Sequence, residues 1–178
     1  ATASQALAML ASPTRQLMGA TQVQWLQGQM AASTATWQVL GQQVLMAEMA
    51  FPVSILAALN SSDTSAQAQQ AAQQAIADYL GAKATAAQAP QALTPAQQAL
   101  LDPALNPRLG YNLDAWDGYP AARETVLGSA QALGKRLVVL AGDTHNAWHS
   151  ELRRLDRSLA GHEFATPGVS SPGLEEYL

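Results

Sequence analysis

Apolar positions along the chain predict three strands. The apolar run Leu137-Val-Val-Leu-Ala ends at Gly142. Its length and bulky aliphatic side chains predict a buried β-strand that breaks at the glycine. Residues 37–46 predict a second strand, with Gly41 as a bulge or a point of close backbone approach. Residues 162–166 predict a third, short strand.

A helical pattern comes first at residues 22–32, where Trp25, Leu26 and Met30 share one face. Thr21 followed three residues later by Gln24 is typical of an N-terminal capping box. We therefore expect an amphipathic helix that buries Trp25.

Between residues 60 and 107 the sequence becomes rich in alanine and glutamine. We expect a surface helix over 66–81 that Gly81 ends, a mobile tract over 82–92, and a short helix capped by Thr94 with Pro95 at its first position. This segment has few groups for chemistry, so we interpret it as a peripheral insertion.

Two further helices are predicted in the last third of the chain. Pro120 is suited to the first turn of a helix that runs towards Gly134. Apolar residues at 148, 152, 155 and 159 have helical spacing, so a helix is also expected over 148–159.

Composition limits the possible classes of protein. The 178 residues suit one domain, and only 12% are charged, against about 25% in a typical soluble domain. This suggests a surface partly buried against polypeptide outside the sequence. The net charge of −4, without a basic patch, argues against nucleic-acid binding, and no apolar run is long enough for a transmembrane segment.

Two other features concern processing and redox chemistry. The chain begins with Ala rather than Met, so we expect a processed product or a fragment. It contains no cysteine, which excludes disulfides and thiolate ligands within this sequence and leaves the compartment open.

Asp143 and His145 follow the predicted central strand, at the end where α/β proteins place their sites. In extended backbone, residues two apart lie on the same side, so both side chains could bind one metal ion. A carboxylate with an imidazole suits zinc, iron or manganese. The alternative is a capped turn in which Asp143 accepts a backbone hydrogen bond and His145 lies on the surface.

A second dense stretch, 106–123, combines aromatic and polar residues with turn formers. It fits a functional loop and a rigid, hydrogen-bonded structural loop equally well.

Five ordered motifs together resemble the PhoD-type alkaline phosphatases, a branch of the metallophosphoesterase superfamily. They span most of the chain outside the Ala/Gln-rich insertion. They are MGATQVQWL at 18–26, WQVLGQQVLM at 37–46, YNLDAWDGYPAAR at 111–123, GDTHNAW at 142–148 and EFATPGVSSPG at 163–173.

The resemblance implies an α/β fold, a layered α/β/β/α sandwich of which residues 1–178 are the C-terminal portion. It implies hydrolysis of phosphate esters at a multi-metal centre, with Asp143 and His145 as late ligands. The earlier ligands belong to an N-terminal half that is not in this sequence, and the other histidines, His149 and His162, match no family ligand.

Further expectations follow from the same resemblance. The metal ions would be divalent or trivalent (Zn, Fe, Mn or Ca), the partner would be the missing N-terminal half, and the location would be periplasmic or extracellular. Arg123 or Tyr119 would contact the substrate phosphate, since a guanidinium suits its oxygens; Arg123 could instead pair with Asp117. This chain alone is expected to have negligible activity.

Three alternatives remain at this stage. His145 and His149 have the spacing of a helical zinc-protease motif, but Asn146 replaces the general-base glutamate. The chain could be a non-catalytic fragment or module that holds no metal alone. It could also be a degenerate relative that keeps the fold to bind a ligand.

Overall fold

The computed structural model describes residues 8–59 and 62–173, which fall into two compact units. The first unit comprises residues 8–49 and 112–173, and the second comprises 50–111 without 60–61. Within these residues, no helix is both long enough and apolar enough to cross a membrane.

The elements of the described residues follow in chain order. They are α1 (Ala20–Ala32), β1 (Trp37–Gly41), β2 (Ala50–Pro52), α2 (Val53–Leu59), α3 (Ala66–Gln88), α4 (Pro95–Leu101), β3 (Arg108–Gly110), α5 (Pro120–Ala132), β4 (Arg136–Ala141), β5 (Trp148–Arg153) and β6 (Leu159–Ala165). Single turns of 3-10 helix lie at Pro90–Ala92 and Trp116–Gly118.

The first unit is a mixed α/β structure built on a four-stranded sheet of order β1-β4-β6-β5. β4 pairs in parallel with both β1 and β6, and β5 is antiparallel to β6. The carboxyl ends of three parallel strands therefore lie at one edge of the sheet. The strand predicted at 137–141 is confirmed as β4, but it is buried on one face only rather than on both.

One face of this sheet packs against α1 and α5. Leu137, Val139 and Leu152 from the sheet join Met30 of α1 and Leu127 of α5 in one buried cluster. The prediction that the face of α1 containing Leu26 and Met30 is buried is confirmed, as is the helix that begins at Pro120.

The opposite face, which we call the outer sheet face, exposes apolar side chains. Val39 pairs with Val138 and Leu140 pairs with Phe164, so these four share this face. Val39 is 61% exposed, Leu140 47% and Phe164 44%. β4 is thus buried on one side only, which explains why its burial alternates along the strand.

The second unit contains α2, α3, α4 and the β2–β3 pair. Its first and last strands are antiparallel neighbours, with Ala50 opposite Gly110 and Phe51 opposite Leu109. Thr94 and Gln97 form the reciprocal capping box at the start of α4, which confirms Thr94 as the cap.

The predicted end of the long Ala/Gln helix at Gly81 is wrong. α3 continues to Gln88, and the tract expected to be mobile is helical up to that residue. The alanines that follow Gly81 favour helix strongly enough to outweigh the roughly 1 kcal/mol cost of one interior glycine.

The helix expected over 148–159 is also wrong. Residues 148–153 form β5, which pairs with β6, and the chain reverses before Leu159. Leu152 is buried but Leu155 is 74% exposed, so the helical spacing of these leucines does not mark a packed face. Pairing with β6 overrides the pattern.

Three smaller expectations also fail. β1 ends at Gly41, so residues 43–46 do not extend it. Gly19 rather than Thr21 is the N-cap of α1, which has no side-chain cap. Trp25 is 62% exposed rather than part of the core.

Candidate functional site

The loop that follows β4 contains Asp143 and His145, both exposed, in left-handed backbone conformation. Their φ angles are 70° and 60°. The expectation that extended backbone aligns the two side chains is therefore wrong. Non-glycine residues seldom adopt positive φ, and strained backbone of this kind occurs preferentially at functional sites.

Hydrogen bonds to two different chain segments fix the start of this loop. Gly142 N donates to Gln43 O over 3.3 Å, and Thr166 N donates to Ala141 O over 3.1 Å. Within the loop, Trp148 Nε1 donates to the Thr144 hydroxyl over 2.9 Å. The loop is thus held in a defined conformation by chain segments on two sides.

His145 is oriented by the loop after β6. Its Nδ1 lies 3.0 Å from the carbonyl oxygen of Pro172. A ring nitrogen bonded to a carbonyl oxygen must carry a proton, so Nδ1 is the donor and Nε2 is the nitrogen left to bind a metal ion. Metal-binding histidines are commonly held in this way by a backbone carbonyl.

The donor chemistry of the loop fits a share of a metal centre. Asp143 offers carboxylate oxygens and His145 an oriented nitrogen, a combination suited to hard or borderline ions. Among the described residues, however, no group of three or more His, Cys, Asp or Glu side chains could hold one ion. These two residues would therefore need further ligands from elsewhere.

A segment without regular structure, residues 42–47, lies beside the loop and is held by buried polar groups. Glu163 on β6 is fully buried, and its two carboxylate oxygens accept hydrogen bonds from Met46 N (2.7 Å) and Ala47 N (2.8 Å). Trp116 Nε1 donates to Gln42 Oε1 over 3.0 Å.

Arg123 also holds this segment. Its Nε donates to Met46 O over 2.6 Å and its Nη1 to Arg153 O over 3.0 Å. Asp117, the other expected partner of Arg123, accepts a hydrogen bond from Met49 N (2.9 Å). The contacts of Arg123 are therefore to backbone carbonyls of neighbouring segments.

Tyr119 lies four residues before Arg123 in sequence and is half-buried. The guanidinium of Arg15 lies 4.9 Å from the centre of its ring, in cation–π geometry. The same guanidinium donates through Nε to Gly118 O over 2.9 Å. Tyr119 and Arg123 thus both contact neighbouring parts of the fold. These contacts support the interpretation of residues 106–123 as a rigid, hydrogen-bonded structural loop.

Burial shifts the pKa of three ionisable groups in this region. Burial raises the pKa of Glu163 and of Asp117. The hydrogen bonds that each carboxylate accepts from backbone N–H groups lower the pKa and partly oppose this effect. Burial also lowers the pKa of Arg123, although Asp117 and other carboxylates favour its charged form.

Histidines outside the loop lie on the sheet. His149 Nε2 and His162 Nδ1 are 3.4 Å apart on neighbouring strands. Because His145 lies in a left-handed loop and His149 in β5, the helical zinc-protease motif is excluded.

A cavity of about 600 Å³ lies between α1 and β1. Its walls are apolar side chains such as Met18 and Trp25 together with glutamines such as Gln29 and Gln42. None of its lining residues is titratable, so it offers no acid–base or metal chemistry.

Sequence reasoning did not identify Glu163 or Gln42 as important for the site. The signal for Glu163 was a carboxylate inside a short apolar strand segment, where an unpaired charge is rarely tolerated. Gln42 had no comparable signal, because its amide acts through a turn that the sequence did not reveal.

A mostly parallel sheet with an Asp-x-His loop at its carboxyl edge places this chain in the class of α/β proteins, in which sites are commonly built on loops at the strand ends. The chain belongs to the PhoD-like phosphatase family, whose model matches residues 2–178.

Two relatives extend this assignment. Alkaline phosphatase D of Bacillus subtilis (strain 168) is 26% identical over 167 residues, which cover 91% of this chain and 20% of that protein. A solved structure described as that of PhoD is 26% identical with a TM-score of 0.53, over 89% of this chain and 22% of that one. The chain thus spans about a fifth of the length of each.

Proposed function

We propose that this chain is the part of a metal-dependent phosphoric ester hydrolase that contributes its late metal ligands. The observation that carries the proposal is the loop after β4, where two non-glycine residues are strained and His145 is oriented by Pro172 O. Membership of the PhoD-like family supports phosphate esters as the substrate class.

In the complete site, Asp143 would bind an ion through its carboxylate and His145 through Nε2. When bound, metal ions of such centres lower the pKa of a coordinated water and offset charge on the phosphate oxygens. The residues of this chain would hold that charge in place, because the loop is anchored at its start and His145 is oriented by Pro172 O. Zinc, iron, manganese and calcium are the candidate ions.

Arg123 and Tyr119 are proposed as phosphate contacts in the complete enzyme. Two of the five guanidinium N–H donors of Arg123 account for its bonds to Met46 O and Arg153 O. Those bonds would make Arg123 rigid, which favours an oriented contact with a phosphate oxygen.

We also propose that the sheet is one layer of an α/β/β/α sandwich. Two features support this: the apolar outer sheet face and the match to only 20% of the relative from Bacillus subtilis. The missing N-terminal half of the family polypeptide would supply the second sheet and the remaining ligands. Periplasmic or extracellular location is proposed from the resemblance alone.

The test of the site is His145→Ala in the complete enzyme that contains this chain. Loss of one metal ligand should lower phosphate ester hydrolysis by at least about 100-fold and reduce bound metal, read by elemental analysis. His149→Ala is the matched control, since it removes an exposed imidazole four residues away and should leave both quantities unchanged. Normal metal content and activity in His145→Ala would contradict the proposal.

The second candidate is a non-catalytic fragment or module. It is favoured by the finding that no group of three metal-ligating side chains occurs among the described residues. Native mass measurement and metal analysis of this chain separate the two: a bound second polypeptide with metal supports the hydrolase, and a metal-free single chain supports the fragment.

A further inference from the structure

Glu163 is an unusual group for the interior of this unit. It is 0% exposed, and its described hydrogen bonds come from uncharged donors: Met46 N, Ala47 N and, at 3.4 Å, Gln42 Nε2. A buried carboxylate is expensive to maintain, and hydrophobic residues of similar volume often stabilise a fold as well or better. Its retention therefore calls for a role beyond filling the core.

Glu163 lies between the two segments that border the Asp143–His145 loop. Its carboxylate holds the 42–47 segment, whose Gln43 O accepts the hydrogen bond from Gly142 N at the start of the loop. Leu45 of that segment is buried with Ala141 and Ala165.

β6, the strand that contains Glu163, also leads into the second segment that borders the loop. Two residues further along β6, Ala165 pairs with Ala141, and Thr166 N donates to Ala141 O. From there the chain continues to Pro172, whose carbonyl oxygen lies 3.0 Å from His145 Nδ1. One carboxylate thus connects both chain segments that contact the loop.

We propose that Glu163 is a positioning residue that holds the Asp143–His145 loop in its ligand-presenting conformation by locking the 42–47 segment to β6. This inference rests on the proposed metal-binding role of the loop. Only a carboxylate can accept from two adjacent amide N–H groups through two separate oxygens. A glutamine of equal volume offers one oxygen, and its NH2 group would face the second N–H.

The first experiment measures amide hydrogen exchange in the metal-free chain carrying Glu163→Gln. We expect the amides of Met46, Ala47, Gly142 and Thr144 to exchange at least tenfold faster, relative to core amides of α5. Leu152→Ala is the matched control, because it removes a fully buried side chain that shares the core cluster of Met46 but makes no hydrogen bond to the 42–47 segment. It should accelerate loop and α5 amides together.

An unchanged exchange ratio at Gly142 and Thr144 in Glu163→Gln would overturn the proposal. If that variant loses the fold, seen as unprotected α5 amides, Glu163→Asp serves instead. It keeps the charge but is one methylene too short to reach both amides, so the same local acceleration is expected, and its absence has the same consequence.

The second experiment uses the complete enzyme and titrates Zn²⁺ or Mn²⁺ into the metal-free form. Glu163→Gln should weaken metal binding at least tenfold, while activity at saturating metal recovers towards the wild-type value. A loss of kcat without loss of metal affinity would contradict a positioning role. If the wild-type enzyme binds no metal through His145, the proposed function fails, whereas the exchange result stands independently.

Discussion

Buried carboxylates set the acid–base behaviour of this chain at the scale of single residues. Glu163 is fully buried and Asp117 is half-buried; Glu163 accepts a backbone N–H bond from Met46 and Asp117 accepts one from Met49. Burial raises the pKa of each, so the folded chain retains their protons to a higher pH than the unfolded chain does. Their ionisation is therefore coupled to folding.

The sign of this coupling gives a prediction for the Glu163→Gln, Asp117→Asn double variant. Carboxylates with raised pKa stabilise the fold below their unfolded values, about 4, and that contribution is lost as pH rises through the folded values. The free energy of unfolding of the wild type, minus that of the variant, should fall as pH increases from about 4. Urea unfolding at a series of pH values measures this difference.

Asp156→Asn is the control for the sign. Hydrogen bonds from Ser158 lower the pKa of this exposed carboxyl, so its contribution should increase rather than fall as pH rises. A double-variant difference that does not change with pH would refute the linkage.

Residue identity predicted the place of the candidate site but not the backbone conformation of its loop. An Asp and a His after an apolar strand were sufficient to locate the loop at the carboxyl edge of the sheet. The positive φ angles could not be inferred, because neither residue is glycine and the bonding partners at the start of the loop are residues 43 and 166. Those partners are distant in sequence and become neighbours only in the folded sheet.

At the scale of elements, the close approach of β4 and β6 depends on Gly161. A Cβ atom there would lie 2.6 Å from Leu137 O and 2.9 Å from Leu137 Cβ. We expect Gly161→Ala to push the strands apart and destabilise the chain by about 1–3 kcal/mol, measured by urea unfolding.

Gly128→Ala is the matched control within α5. Its Cβ would make only ordinary contacts with the Arg154 guanidinium, the nearest at 3.5 Å, while the helix gains from losing an interior glycine. We expect it to stabilise the chain by about 0.5–1 kcal/mol. Equal effects of the two substitutions would show that the β4–β6 contact is not tight.

The elements also show where pattern reasoning succeeds. Capping residues predicted α4, and an N-terminal proline predicted α5, because both signals act within one helical turn. The helix predicted over 148–159 was wrong because the helical spacing of its four apolar residues is a coincidence within a hairpin. Only pairing with β6 decides between helix and strand. The predicted helix end at Gly81 was wrong because a single glycine opposes helix only weakly and the residues around it favour helix strongly.

At the scale of the whole molecule, the outer sheet face predicts self-association of the chain alone. Contiguous exposed apolar side chains commonly mark contact surfaces. Val39→Lys with Leu140→Lys should reduce the concentration-dependent mass increase seen by sedimentation. Leu155→Lys is the control, since Leu155 is 74% exposed but lies in the turn between β5 and β6. Equal reduction by the control would exclude this face as the cause.

The pairing of Ala50 with Gly110 makes the second unit a removable module. Because the entering and leaving strands run side by side, their partner residues lie about 5 Å apart, a gap that a two-residue turn can close. Residues 51–109 could thus be exchanged for another insert by genetic fusion, without requiring either end of the first unit to move. Such an attachment point suits the grafting of a reporter domain.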